Sequence, residues 1–292
     1  MTIYNLGSIN IDHVYRLDHM PAPGETLSSQ EFSQGLGGKG ANQSIAAARA
    51  GAEVVHIGAI SGDGDDWVIE RLAGAGVDTG QIARLDGIAT GHAIIYVDGA
   101  GENAIVLHPG ANMRLERDRL TRALSGIGAR DTLLIQNETN LQAEAAQIAR
   151  AAGARVIYSA APFGIEAVRA VIGQVSMLAL NRIEAEQLAA ATGGGVDVPA
   201  MLVTRGGEGA EFRDLATGEV IRQDAFEVEP VDTTGAGDCF AGYVAAGLDL
   251  GRDMRTALRH AAAAAAIKVT RVGAGDAIPD AAEVEAFLAA RG

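Results

Sequence analysis

The run Asp232-Thr233-Thr234-Gly235-Ala236-Gly237-Asp238 sets three small residues directly before a carboxylate, and an apolar helical pattern, Phe240 to Leu250, follows it. Backbone this bare at a helix start can turn several N–H groups toward an anion, and the helix dipole favours negative charge there. A carboxylate beside a bound anion is repelled by it, which serves stability badly. It serves well if Asp238 takes a proton from a hydroxyl that attacks phosphorus, with Gly235, Ala236 and Gly237 as the anion site.

Other residues suit the partners of such a reaction. Asn10 and Asp12 are two apart, so an extended chain puts both side chains on one face, where amide and carboxylate can meet vicinal hydroxyls; they serve equally as turn-formers. Gly35-Leu36-Gly37-Gly38-Lys39-Gly40-Ala41-Asn42 matches GxGxxG formally. However, its glycines come some 30 residues after the first apolar strand, where a dinucleotide site would place them directly after it. Lys39-Gly40 also reverses the Gly-Lys order of a P-loop. What remains is a tight turn entering the helix Ala41–Ala50, with Asn42 free to bond hydroxyls. Asn181 and Glu184 follow an apolar strand at its C-terminal end and carry oxygens that suit hydrated Mg²⁺, although a helix N-cap with an acidic third position explains them too. Thr204-Arg205-Gly206-Gly207-Glu208-Gly209 can let a base or ribose approach the backbone, or form a plain turn. Glu138 ends another strand and points toward the same crevice.

The elements that must carry these residues are legible as apolar runs. Ile3–Leu6, Val54–Ile60, Ile94–Val97, Leu133–Ile135, Arg155–Tyr158, Met177–Leu180 and Met201–Thr204 read as strands. Helical patterns at Gly40–Ala50, Trp67–Ala73, Ala143–Ala152, Ile165–Ile172 and Glu184–Ala191 alternate with several of them. Strand and helix alternating at this spacing predict an α/β fold with a doubly wound, mainly parallel sheet, in a single domain over 1–292. Three helices close the chain: Phe240–Leu250, Arg255–Thr270 and Ala281–Ala290. Residues 13–35 and 88–108 break the alternation and are expected to pair as a small antiparallel sheet forming a lid. The net charge, 23 − 37 = −14, excludes a general nucleic-acid binder, and no apolar run is long enough to cross a membrane. The chain starts without a secretory signal, and a lone cysteine, Cys239, fits a reducing cytoplasm.

Together these residues resemble the ribokinase-like, or phosphofructokinase-B type, family of carbohydrate kinases, over nearly the whole chain. The resemblance rests on Gly37-Gly38-Lys39-Gly40-Ala41-Asn42-Gln43 and on Asp232 to Asp238, with Asn181-x-x-Glu184 a weaker third. Within the family the ribokinase branch reads most like it, through Gly7–Asp12, Pro23-Gly24-Glu25-Thr26, Gly101-Glu102-Asn103 and Val269-Thr270-Arg271. The resemblance implies that Asp238 is the base and that Gly235–Gly237 cradle the moving phosphoryl group. It implies sugar contacts at Asn10, Asp12, Gly38, Lys39, Asn42 and Glu138, and nucleotide contacts at Asn181, Thr204, Gly206 and Gly209. Mg²⁺ would be organised by Asn181 and Glu184, largely through water. A K⁺ site is implied at Asp232, Thr234 and the carbonyls around Lys268, Arg271 and Gly273, and lids of this type also pair across a homodimer.

The implied activity is ATP-dependent phosphorylation of a primary hydroxyl of a pentose, ribose first. A nucleoside, fructose or another sugar is the alternative acceptor, with His92, Ile94, His108 and Ala161 to Phe163 as candidate pocket residues. A non-catalytic sugar or nucleotide sensor is the other class, and the intact Gly235–Asp238 run counts against it. Three departures from the family pattern stand out. Only Thr192–Pro199 fills the gap where a further helix is expected. Ala262 stands where a small polar residue often meets adenine. Lys268 replaces a small residue and Ala277 a hydroxyl ligand at the K⁺ site, so the Lys268 ammonium either takes the ion's place or points to solvent.

Overall fold

The structure, a computed structural model, describes residues 1–291. In chain order the strands are β1 (Thr2–Leu6), β2 (Asn10–Arg16), β3 (Glu31–Gly37), β4 (Glu53–Ser61), β5 (Val77–Leu85), β6 (Gly91–Val97) and β7 (Asn103–His108). They continue with β8 (Thr132–Gln136), β9 (Arg155–Ser159), β10 (Met177–Asn181), β11 (Ala200–Thr204), β12 (Ala210–Asp214) and β13 (Val220–Gln223). The helices are α1 (Lys39–Arg49), α2 (Asp66–Gly74), α3 (Arg117–Ala123), α4 (Gln142–Ala151), α5 (Ile165–Val171), α6 (Arg182–Thr192), α7 (Ala236–Asp249), α8 (Met254–Val269) and α9 (Ala281–Ala289).

Nine strands form the main sheet in the order β13-β12-β11-β10-β9-β8-β1-β4-β5. From β11 to β5 every pairing is parallel, and β12 and β13 add an antiparallel edge. Period-two alternation feeds two cores. Ile3, Val54, Ile60 and Leu134 pack on the side of α1, α7 and α8, while Leu6, Ile57, Leu133 and Ile135 pack on the side of α3, α4 and α5. A sheet buried on both faces is apolar at most positions, which is why its central strands read as nearly continuous runs, broken by a few buried polar residues such as Asn5, His56 and Gln136. Helix α1 lies directly on the chain after β1: a Cβ at Gly40 would fall 2.3 Å from the Gly7 Cα, so this approach requires glycine.

The second sheet has the order β3-β2-β6-β7. The two excursions do pair, but the pairing that joins them, β2 with β6, is parallel, so the sheet is mixed where an antiparallel one was expected. Both strands run outward from the same rim of the main sheet, which dictates that direction. The sheet also reaches further in than 13–35, to Asn10 and Gly37, with Asn10 opposite both Gly37 and Gly91, while β6 and β7 fall within 88–108. Edge strand β7 is exposed along its whole length. The gap after α6 holds no further helix: α6 itself is the crossover between parallel β10 and β11, and a groove of about 710 Å³ lies beside it. No helix among the described residues is long and apolar enough to cross a membrane.

Candidate active site

Gly235 caps α7 at φ 72°, a left-handed conformation that costs glycine nothing, and the helix proper begins at Ala236. Asp238 therefore lies in the first turn. Its Oδ2 accepts from Asn42 Nδ2 at 3.1 Å and its Oδ1 from Gln43 Nε2 at 3.0 Å, both presented by α1. Gln43 is fixed in turn: its Oε1 accepts from Gln136 Nε2 at 2.8 Å, and Gln136 also donates to Asn5 Oδ1 at 3.0 Å. Asn5 donates to Gly40 O and to Ser44 Oγ, whose hydroxyl meets His56 Nδ1 at 2.8 Å. His56 is wholly buried, and burial holds its pKa down at about 4, so it stays neutral. A chain of hydrogen-bonded buried amides thus runs from the sheet to Asp238, in which Gln136 Oε1 is left without a partner. Gln43, Gln136 and Asn5 went unassigned in the sequence, although Gln43 adjoins Asn42 in the Gly-rich motif.

Glycines 35 and 37 end β3 and Gly38 precedes α1, so the Gly-rich run is a strand end and a helix start, not one loop. Glu138 Oε2 accepts from Ser8 Oγ at 2.5 Å and from the Lys39 N–H at 3.2 Å, and its Oε1 lies 4.0 Å from Lys39 Nζ. Burial alone lowers the Lys39 pKa, but the carboxylates of Asp238, Glu138 and Glu184 outweigh it and the net shift is upward. Asp12 is pushed up to about 6, by burial first and by the charge of Glu138 second. Asn10 is buried, and its Oδ1 accepts from Asn112 Nδ2 at 2.8 Å, a partner the sequence did not suggest. Asn42 Oδ1 is buried with no hydrogen-bond partner, an acceptor left open beside Asp238. Strand alternation puts His92, Ile94 and His108 on the sheet face away from Asn10 and Asp12, with the His92 and His108 rings 5.0 Å apart. This corrects their candidacy as pocket residues on the acceptor side.

Asp238, Gly235, Ala236 and Gly237 open on a cavity of about 180 Å³ that Lys39, Asn181, Glu184, Ala161 and Thr204 also line. A larger, mostly apolar pocket of about 650 Å³ shares Thr204, Thr233, Ala236, Gly237 and Phe240 with it. Gly206, Gly209 and Ala262 line that pocket, as do Phe226, Val228 and Pro230, which precede the Asp232 run and carry no motif. Its volume is of the order that small-molecule sites occupy, about 300–1,000 Å³.

Asn181 and Glu184 form a complete capping box: Asn181 Oδ1 accepts from the Glu184 N–H at 2.9 Å, and Glu184 Oε2 from the Asn181 N–H at 2.8 Å. Burial raises the Glu184 pKa, which Asp238 reinforces against the pull of the Asn181 N–H and Lys39. Among the described residues no three His, Cys, Asp or Glu side chains converge as a metal cage. One carboxylate and one amide already tied to backbone suit Mg²⁺ that keeps its waters and is completed by phosphates. The residues expected to surround a monovalent cation fit it poorly. Asp232 Oδ1 and Oδ2 accept from the Thr234 and Gly273 N–H groups, both at 2.8 Å. The Arg271 N–H donates to the Lys268 carbonyl at 3.0 Å, and the Arg271 side chain pairs with Glu283. The ammonium of Lys268 is turned inward.

A carboxylate at a bare helix start and an apolar pocket beside it, on a doubly wound α/β sheet with a separate small sheet, define an α/β small-molecule kinase. The pfkB family carbohydrate kinase model matches residues 2–281, and the chain belongs to that family. It is 35% identical to a ribokinase of Haemophilus influenzae, over 98% of each chain. The ribokinase structure of Thermotoga maritima superposes with a TM-score of 0.85 at 34% identity, covering 99% of both chains. That of an Arabidopsis thaliana ribokinase complexed with ribose and ATP gives 0.87 at 27% identity, covering 98% of both.

Proposed function

We propose that the protein is an ATP-dependent ribose kinase, moving the γ-phosphoryl group of ATP to the primary hydroxyl of the sugar. The observation that carries the proposal is the Asp238 carboxylate, anchored by the Asn42 and Gln43 amides on the small cavity, which shares Ala236 and Gly237 with the adjoining nucleotide-sized pocket. Relatives that share nearly the full chain length and are ribokinases support ribose as the acceptor. ATP places its base and ribose in the apolar pocket by Thr204, Gly206 and Gly209, and its phosphates extend toward Gly235–Gly237. The sugar lies between Asn10, Asp12, Gly38, Asn42 and Glu138. Asn42 Oδ1 gains the hydroxyl donor it lacks.

In the chemical step the sugar oxygen forms a bond to the γ-phosphorus, the bond from that phosphorus to the bridging oxygen breaks, and ADP leaves. The hydroxyl proton passes to Asp238, which must lie within roughly 2.6–3.2 Å of that oxygen. Charge on the phosphoryl oxygens is met by N–H groups of Gly235–Gly237 and by Lys39, the sort of fixed stabilisation on which phosphoryl transfer depends. Mg²⁺, held through water by Asn181 and Glu184, would neutralise phosphate charge. The β2-β3-β6-β7 sheet acts as a lid that excludes water and spares ATP from hydrolysis. Its uncovered apolar residues, Phe32, Ile105, Val106 and Leu107, suit pairing with a second copy. The single cysteine, with no internal disulfide partner, suits the cytoplasm.

The test offers ribose, deoxyribose, fructose and nucleosides with ATP and Mg²⁺ to the wild type and to Asp238→Asn. Ribose should give the highest kcat/KM. No phosphorylated product from any acceptor ends the kinase assignment, and a higher kcat/KM for a nucleoside replaces the acceptor.

A further inference from the structure

Lys268 is the one fully buried charged side chain among the described residues, at 0% exposure. It lies in the last turn of α8, and its Nζ donates to the main-chain carbonyl of Asp232 at 2.9 Å. Burial presses its pKa down, while the Asp232 carboxylate and, less strongly, Cys239 press it up. An ammonium is not placed in a core for stability alone, because its desolvation is expensive unless groups around it compensate. The compensation here comes from one loop. Val231 and Asp232 both donate their N–H groups to the Val269 carbonyl, at 2.7 and 3.0 Å, so the loop is docked on the C-terminal end of α8. That end carries the negative pole of the helix, where a cation is favoured. The docked loop runs directly into Gly235 and the anion-binding turn.

A monovalent metal ion in this place would need a shell of free oxygens. The Asp232 carboxylate is instead occupied by two N–H groups, the Asp232 carbonyl by the lysine, and the Lys268 carbonyl by the Arg271 N–H. We propose that the Lys268 ammonium is a built-in cation that fixes the Asp232–Gly235 loop, and through it the anion-binding turn, so that this enzyme needs no K⁺. Lys268 is then a positioning residue: it touches neither sugar nor nucleotide and acts through the loop that presents Gly235–Gly237. The proposal rests on the kinase assignment for its activity readout, but its stability readout does not.

The experiment compares wild type and Lys268→Ala without alkali metal ions and with KCl, ionic strength being held near about 0.1 M with tetramethylammonium chloride so that screening is constant. Wild-type kcat should change by less than about twofold on adding K⁺. Lys268→Ala should lose roughly ten- to a hundredfold in kcat without K⁺, less than loss of a direct anion-hole donor costs. KCl, but not LiCl, should restore most of that loss and raise the melting temperature of the variant while leaving that of the wild type unmoved. Wild-type turnover that climbs severalfold with K⁺ overturns the proposal. So does a Lys268→Ala enzyme of full activity without K⁺, or one whose loss no cation relieves. Should the alanine variant not fold, the wild-type titration and the isosteric Lys268→Met variant, which fills the space and brings no charge, decide the matter. Absence of turnover in the wild type at every K⁺ concentration would instead count against the kinase assignment, leaving the melting temperatures to test the cation site alone.

Discussion

Asp232 and Asp238 are the same chemical group, six residues apart at the two ends of one turn, and their surroundings divide them. Asp232 spends both oxygens on main-chain N–H groups, that of Thr234 in its own loop and that of Gly273 after α8, and has a buried ammonium behind its carbonyl. Burial pushes its pKa up, but the Thr234 hydroxyl, then the Thr234 and Gly273 N–H groups and the Lys268 charge, outweigh it and hold its carboxyl below the usual range. Asp238 spends its oxygens on two side-chain amides from another helix and opens on a cavity. A carboxylate held by main-chain N–H groups fixes a shape. A carboxylate held by side chains of a separate element is aimed, and keeps capacity for one more proton.

The sharpest way to break the contrast is to remove each charge. Asp238→Asn should lower kcat by about 10²–10⁴-fold, the usual worth of a positioned base, with the unfolding free energy within roughly 1 kcal/mol of wild type. Turnover equal to that of the wild type would take the base role from Asp238. Asp232→Ala should act the other way round. It deletes two hydrogen bonds and the countercharge of a buried lysine, so a loss of about 2–4 kcal/mol in denaturant unfolding is expected. A melting temperature unchanged by Asp232→Ala would show that the two carboxylates do not differ as described.

A smaller effect should come from the amide that aims the base. Gln43→Leu keeps approximate shape and removes the Nε2 contact to Asp238, while leaving Gln136 Nε2 with Asn5 Oδ1 as its remaining acceptor. A drop of roughly tenfold in kcat with KM for ATP within about twofold is expected, since positioning is lost and binding is not. If KM for ATP rises and kcat holds, Gln43 shapes the nucleotide site instead.

How much of this the sequence discloses depends on how local the cause is. The central strands are mostly apolar because both faces are buried, and the seven proposed strands, with Ile94–Val97 in the small sheet, and the three closing helices stand where the pattern puts them. Strand β5 alternates and lies at the sheet edge, and β12 and β13 are short and partly exposed, so none offers a continuous run. The Gly235–Asp238 turn is legible because helix-start chemistry is written in consecutive residues. The amides of Gln43, Gln136 and Asn5 are not, because they meet only after β1, β8 and α1 assemble. The same holds for Asn112 on Asn10 and for the inward turn of Lys268, whose helix position alone allows either direction.

The smallest expected effect concerns a third carboxylate, Asp12, which stands between the two cases: partly buried like Asp232, yet without backbone N–H partners of the same kind. Burial, then Glu138, raise its pKa from 3.8 to about 6. The sign follows from the two states. Below the unfolded value both forms hold the proton and nothing changes. As pH rises from about 4 to about 6 the unfolded chain ionises first, so stability is lost across that window and the loss is complete above it. Two units correspond to at most about 3 kcal/mol, and partial exposure brings this to roughly 1–2 kcal/mol. Asp12→Asn should therefore stabilise the ligand-free protein at pH 7 by that amount and make no difference near pH 3.5. The sugar reads the same proton in the opposite sense, because only the ionised form is a pure acceptor for its hydroxyls. In the wild type, kcat/KM for ribose should fall about tenfold per unit below pH 6, a limb set by the free enzyme. Asp12→Asn should lower the plateau and abolish that limb. A limb that persists unmoved in the Asn variant would assign it to another group and leave Asp12 as part of the small sheet's packing.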